Sequence, residues 1–454
     1  MRILDRYVIR NFLYSALMWF IVFMVLRTVA DLFINMDEFA KLDKDLGQKL
    51  RVVFNYYALQ QLVYFTELGG VIIVASAAFS LAMMNRTNEL TAILASGVSL
   101  RRVVVPIVIC AVMLSGLIVL DQEVLMPPNA PRLAMDRDDP LGESIFSVRM
   151  VSDGTGAIWF SDRYSPTDQV MRRPVANVRD ELGRPLVMLS GESGHLVSGG
   201  VMFDKGQMSP LSEGTSGWDK QPKWNAIHTN LTPDRLIQLS GQQREGEAPV
   251  SNVRAEDGSL GLLLEAERFV PDAYRPLTLR TGELVNVVFT FRTLDGRTAA
   301  VFKADSARWT LDESRPGKGY WSMNARMFYP SDLTHEDLQL RQSSRWVEYL
   351  STAELTRLAD LKRLPDLDRA VLTRHIRFTE PLNNLIMLLL ALPFILSRER
   401  NIKASAAMCL LIVGLFYAFI YISRYMGLPP ALAAWLPAIV FGPVSVVMID
   451  TIKT

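Results

Sequence analysis

Cysteine and histidine are scarce. Two cysteines and four histidines in 454 residues leave no material for a disulfide framework or a His/Cys metal centre. Cys110 and Cys409 lie inside apolar runs, and His195, His228, His335 and His375 have no ligand spacing between them. Solvated or structurally bonded imidazoles are therefore expected, with no metal and no cofactor. An excess of one charge is lacking too. The 48 Lys+Arg and 47 Asp+Glu leave a net charge of +1, which excludes the basic face of a nucleic-acid binder. No Gly-x-x-x-x-Gly-Lys-Ser/Thr loop occurs to cradle nucleotide phosphates, and neither does Gly-x-Ser-x-Gly or His-Glu-x-x-His. The reading is a non-enzyme whose energy, if it uses any, is supplied by another protein.

What the chain does have is apolar residues, half of the total, and they are clustered at its two ends. About 20 apolar residues in a helix cross a bilayer core. Phe12–Ile34, Leu68–Met84 and Val103–Leu120 qualify near the start, with Tyr56–Phe65 as an aromatic lead-in to the second run. Phe378–Leu396, Ala404–Met426 and Leu432–Ile449 qualify near the end. The first run is too long for a signal peptide and lacks a small-residue cleavage site, so it is expected to be retained. Basic residues mark the cytoplasmic side of short loops. Arg2, Arg6 and Arg10 precede the first run, Arg86, Arg101 and Arg102 separate the second and third, and Arg398, Arg400 and Lys403 separate the fourth and fifth. Both termini are thus expected in the cytoplasm and the large middle segment outside, in the periplasm of a double-membraned bacterium.

That middle segment changes pattern. Ala157–Phe160, Leu186–Leu189, Val201–Phe203, Leu284–Phe291 and Ala299–Phe302 are β-prone, and Gly, Pro, Asp and Ser separate them, as in an antiparallel sandwich or barrel. A weak internal echo sets Trp224-Asn225-Ala226 and Thr232–Leu236 beside Trp321–Ala325 and Tyr329–Leu333. Two related β units and coincidence both account for it. Ser351–Leu367 has leucines at spacing three and reads as a helix leading back to the membrane.

Between the second and third runs, Leu90, Ile93 and Leu94 fall at i, i+3 and i+4, one apolar face of a short helix. Glu89 stands in its first turn, where a carboxylate suits the positive helix end, and Gly97 supplies a stop. An interfacial connector is the plain alternative. The same loop, Asn88-Glu89-Leu90-Thr91-Ala92 through Ala95-Ser96-Gly97, resembles the coupling helix of the LptF/LptG (YjgP/YjgQ) lipopolysaccharide-export permeases. Other segments do so in the right order. They are Ile3–Arg10 at the start, Trp224 with Asn230–Leu236, Arg374–Phe394 with Arg377 and Pro381, and Gly427–Pro430 through Trp435-Leu436-Pro437.

The resemblance implies six transmembrane helices in a 3+3 arrangement with an inserted periplasmic all-β, jelly-roll-like domain. The expected divisions are 1–121, with the coupling helix at 86–97, then 122–375 and 376–454. It implies an inner-membrane subunit that extracts lipopolysaccharide and passes it to a periplasmic lipid-bridge protein. A cytoplasmic ABC ATPase dimer would drive it, and a second LptF/LptG-type permease would pair with it, equal or unequal. Glu89, Leu90, Ile93 and Leu94 would form the contact to the ATPase. Arg27, Lys41, Lys44 and Arg424 are the candidates for substrate phosphates, although for Arg27 the preferred reading is that it and Asp31, four apart, neutralise each other. The chain departs from the family in carrying Asp31, Asp37 and Glu38 where lysines are common, and in an insertion about a hundred residues longer than usual. A permease for another envelope lipid, or a membrane-anchored β scaffold that moves nothing, are the rival readings.

Overall fold

A computed structural model describes residues 3–36, 45–135, 139, 142–180, 182–211, 221–239, 249–272, 281–293, 296–312, 318–360, 367–396 and 402–450. The helices include α1 (Ile3–Ile34), α2 (Leu46–Arg86), α3 (Glu89–Ala95), α4 (Leu100–Leu120), α5 (Pro233–Leu239), α6 (His335–Gln342), α7 (Thr352–Asp360), α8 (Leu367–Ile395), α9 (Ile402–Tyr425) and α10 (Pro430–Asp450). Packing divides the chain into two compact units. One holds Met1–Pro140, Ser343–Lys362 and Asp366–Thr454, and the other Leu141–Gln342.

In the first unit, six helices among the described residues are long and apolar enough to cross a membrane, three on each side of the insertion. They are apolar on nearly every face, as a lipid environment requires. The outward faces carry Leu13, Leu17, Val25 and Leu26 on α1 and Leu410, Leu411 and Leu415 on α9, all exposed. At 41 residues α2 is about 60 Å long, roughly twice a bilayer core, and it runs unbroken through the aromatic lead-in. The inward faces meet in a core that includes Val8, Phe12, Ile73, Ala77, Val103, Ile107, Leu388, Leu392 and Phe416, and α1 and α2 share a second cluster of Met24, Tyr56, Tyr57, Tyr64 and Ile72. Gly69 and Gly70 make close approach possible here: a Cβ on Gly69 would strike Ile118, and one on Gly70 would strike Asn384 and Met387. Small residues at helix contacts serve this purpose in membranes.

The second unit is an open antiparallel sheet. Its first half holds β1 (Phe146–Ser152), β2 (Ile158–Ser165), β3 (Val170–Arg172), β4 (Val175–Arg179), β5 (Pro185–Ser190), β6 (Ser193–Val197), β7 (Gly200–Asp204), β8 (Gln207–Pro210) and β9 (Ala226–His228). Its second half holds β10 (Val250–Asp257), β11 (Leu262–Pro271), β12 (Gly282–Arg292), β13 (Thr298–Leu311), β14 (Gly319–Met323) and β15 (Arg326–Pro330). Burial alternates along the strands, as a sheet with one wet face demands. In β12 the left-handed Asn286 resets the alternation, so that Gly282 and Leu284 before it and Val287, Phe289 and Phe291 after it all point inward. One apolar core serves the whole sheet. The sheet coils over it: the Trp159 ring of β2 stacks on Phe203 of β7 at 5.8 Å, although these strands are not neighbours in the hydrogen-bonded order.

Candidate coupling and substrate-contact sites

The short helix α3 begins after Asn88, which takes a left-handed turn (φ 59°). It ends where Gly97, at φ +82°, receives the chain with its N–H on the Leu94 carbonyl. Leu90 is buried, and Ile93 and Leu94 pack against the membrane core. The apolar face read from the spacing therefore anchors α3 to its own helix bundle. Thr91, Ala92 and Ala95 are exposed. Glu89 is held from another element: the Tyr7 hydroxyl of α1 donates to its Oε2 at 2.5 Å. A push on α3 would thus reach α1 through a charge-assisted hydrogen bond, and the core through three apolar side chains.

Near the C-terminal end of α1, Arg27 is committed within the chain. Its guanidinium lies 3.3 Å from the Asp31 carboxylate and 4.7 Å over the Tyr64 ring. Asp31 is buried and also accepts from the Tyr57 hydroxyl at 3.0 Å. A carboxylate in an apolar helix is costly unless it is paired, and here it is. Arg424 is exposed on the last turn of α9, and no described contact joins it to Arg27. Lys41 and Lys44 lie outside the described residues.

A denser polar site escaped the sequence reading. Beyond α4 the helix continues as a π turn over Asp121–Leu125, a form that often marks functional positions. Facing it, Arg377 of α8 is 6% exposed. Its Nη1 donates to the Gln122 carbonyl at 2.8 Å, and its Nη2 to the Glu348 and Leu350 carbonyls at 2.8 and 2.7 Å. The Glu123 carboxylate stands 3.4 Å away and accepts from the Thr352 backbone N–H and hydroxyl. Gln122 donates to Glu380 at 2.7 Å, and Thr66 to Asp121 at 3.2 Å. Alongside, Arg345 bridges Glu67 and Glu348 at 2.9 and 2.7 Å. Burial works to lower the Arg345 guanidinium, but these two carboxylates outweigh it and hold it above its ordinary value. One planar guanidinium thus ties α8 to the π turn and to the segment leading into α7. The available signal was Arg377 itself, an ionisable group within an apolar helix, together with the polar run Asp121-Gln122-Glu123 closing an apolar one.

Among the described residues no group of three or more His, Cys, Asp or Glu is placed to hold a metal ion. The family described as "Lipopolysaccharide export system permease LptF/LptG" matches residues 6–450. No curated protein matches the chain.

Proposed function

Because the chain belongs to the LptF/LptG family of lipopolysaccharide export permeases, we propose that it is one permease subunit of an ABC-type exporter in the bacterial inner membrane. In this reading it lifts lipopolysaccharide from the bilayer and hands it to a periplasmic bridge protein. A second subunit of the same family pairs with it. The observation that carries this is the family match over nearly the whole chain, on a molecule with three membrane helices on each side of an inserted β unit.

The physics of the task fits the parts. Each lipid methylene leaving the bilayer costs about 0.8 kcal/mol, so the work must be driven. A separate cytoplasmic ATPase would supply it through α3. The exposed side of α3, with Thr91, Ala92 and Ala95 and the half-buried Glu89 at its start, is the surface left for that contact, while Leu90, Ile93 and Leu94 transmit the motion inward. Arg27 is balanced by Asp31, so Arg424, Lys41 and Lys44 carry the case for a phosphate contact. This balance also keeps open an envelope lipid with fewer phosphates as the cargo.

The test is co-purification in mild detergent. The parent chain should bring down an ABC ATPase, and Glu89→Lys with Ala92→Arg should lose it, whereas Tyr7→Phe, which removes the same Glu89 hydrogen bond without altering the outer side of α3, should keep it. A photoreactive residue at the exposed Tyr417 should crosslink lipopolysaccharide in an ATP-dependent way. Retention of the ATPase by the double variant would refute the docking surface, and crosslinks to a different lipid would refute the substrate.

A further inference from the structure

The β unit repeats itself, strand for strand. In the first half, β3 and β4 together pair with β2 in one register, from Ser165↔Val170 to Ile158↔Asn177. They pair equally continuously with β5 and β6, from Val178↔Val187 to Val170↔His195. Strands β7 and β8 continue the series, from Val197↔Gly200 to Val187↔Pro210. The half is thus a five-strand meander, with three interrupted members added to its outer hairpin β1–β2. The second half repeats this order: the hairpin β10–β11, then β12, then β13, then β14 with β15 along β13.

The turns correspond in detail. Asp153-Gly154-Thr155 joins the first two strands of one copy, and Asp257-Gly258-Ser259 those of the other. In each, the Asp Oδ1 accepts from the hydroxyl two residues on, at 2.6 Å in both, and from the same residue's N–H. Arg179-Asp180-Glu181-Leu182-Gly183-Arg184 and Arg292-Thr293-Leu294-Asp295-Gly296-Arg297 join the third and fourth strands. Asp180 N–H bonds Arg184 O as Thr293 N–H bonds Arg297 O, and Gly183 N–H bonds Asp180 O as Gly296 N–H bonds Thr293 O. The two glycines sit at φ +79° and +81°. Single turns of these kinds are common; the same turns in the same order, between the same strands, are a repeat.

Each copy ends in the same arm. Thr229-Asn230-Leu231-Thr232, with Leu236, matches Ser331-Asp332-Leu333-Thr334, with Leu338. The first hydroxyl of each arm caps the leucine N–H two residues on. The threonine of each caps the N–H three residues later and starts α5 or α6. The two arms are crossed between the copies. Ser331, from the end of the second copy, donates to Asp153 of the first at 2.7 Å, and Thr229, from the end of the first, donates to Asp257 of the second at 3.0 Å. The strands before the arms cross in the same sense: β15 pairs with β7 as Tyr329↔Val201, and β9 pairs with β14 as Ile227↔Trp321.

We infer that the β unit is one module present twice, and that the two copies recognise each other by exchanging C-terminal arms. The interaction surface is the Asp-Gly-Thr/Ser turn with the neighbouring strand edge of β7 or β14. The partner it fits is another module of this kind, presenting a strand, a Ser/Thr-Asn/Asp-Leu-Thr segment and a helix. Reciprocal exchange of identical elements is a low-cost way to join two folds, here made permanent by fusion. This stands whatever lipid the membrane unit moves.

The two arms being interchangeable, one full period can be excised. Deletion of Thr229–Pro330 in the full chain joins His228 to Ser331, so that β9 leads into the arm that Asp153 already holds. A deletion of equal length shifted out of register, Ser209–Thr310, is the control. The in-register variant should accumulate in membranes within about twofold of the parent and resist protease, with the control falling about tenfold or more. In the parent chain, Asp153→Ala should speed hydrogen exchange in Ser331–Leu338, and Asp257→Ala in Thr229–Leu236, each in the arm of the opposite copy. An in-register deletion lost as fast as the control overturns the inference, as does faster exchange confined to the mutated copy's own arm.

Discussion

Arg377 has a task that lysine cannot do. Its two terminal nitrogens reach three carbonyls that belong to two separate segments, and only a planar fork spans them at once. Arg377→Met should therefore destabilise the purified chain by about 3 kcal/mol, the scale for breaking a buried charged network, read as a lower thermal midpoint in detergent. Arg377→Lys should keep the charge and still lose a large part of that. His335 makes a second prediction, in pH. The Tyr164 hydroxyl shares a 2.6 Å hydrogen bond with its Nδ1, burial lowers the imidazole, and burial pushes the phenol up to about 12. A histidine lowered by folding contributes stability that is complete above its unfolded value of about 6.5 and is lost as pH falls below it. The parent should thus lose stability between neutral and mildly acid pH, and His335→Gln, whose amide can pair with the Tyr164 hydroxyl without titrating, should flatten that slope. Glu89, Arg27 and Arg377 were all visible in the sequence as charges in or beside apolar runs. Their partners Tyr7, Tyr64 and the Glu348 carbonyl were not, because a hydrogen bond across 82 positions leaves no local trace.

At the scale of elements, period and composition told most where one face is apolar. The spacing of Leu90, Ile93 and Leu94 predicts α3, and all five β-prone stretches named from composition fall on β2, β5, β7, β12 and β13. Where the pattern breaks, the reading stopped early. The apolar run ends at Leu120, yet the helix continues through Leu125, because Asp121 and Gln122 find Thr66 and Glu380 as partners inside the bundle. Ser351–Leu367 reads as one helix; α7 covers Thr352–Asp360, and Leu361 and Leu364 lie outside the described residues. Burial also decides what α3 can tolerate. Leu90→Asp should cost about 2 kcal/mol or more, since a buried leucine is worth that much and a carboxylate cannot replace it. Ala92→Arg, on the exposed side, should stay within about 0.5 kcal/mol of the parent. Gly97→Val should cost about 1–2 kcal/mol through the left-handed backbone alone, since nothing lies within 4 Å of an added Cβ. Melting curves of the three variants rank these effects directly.

For the whole molecule, hydropathy was enough to place three helices before the insertion and three after, because about 20 apolar residues in a row have few other uses. The doubled β module was harder to see. The echo set Thr232–Leu236 against Tyr329–Leu333, whereas the hydrogen bonds align Leu231 with Leu333 and Leu236 with Leu338. What the copies share is turn chemistry and strand order, and the segment between β8 and β9 interrupts only the first, so residue identity alone slips the register. Orientation is the remaining whole-molecule property, and it rests on charge: Arg86, Arg101 and Arg102 should be cytoplasmic and the β unit should face the opposite side. The native cysteines make this directly measurable, because Cys110 and Cys409 are 4% and 9% exposed and offer little background to a thiol reagent. Leu182→Cys, at a position 78% exposed on the β unit, should react with a membrane-impermeant maleimide once the outer membrane is permeabilised. Arg86→Cys should react only after the inner membrane is opened. Reaction of both cysteines under the same condition would place the β unit and the α2–α3 connection on one side, and α3 would then have no separate face on which an ATPase could act.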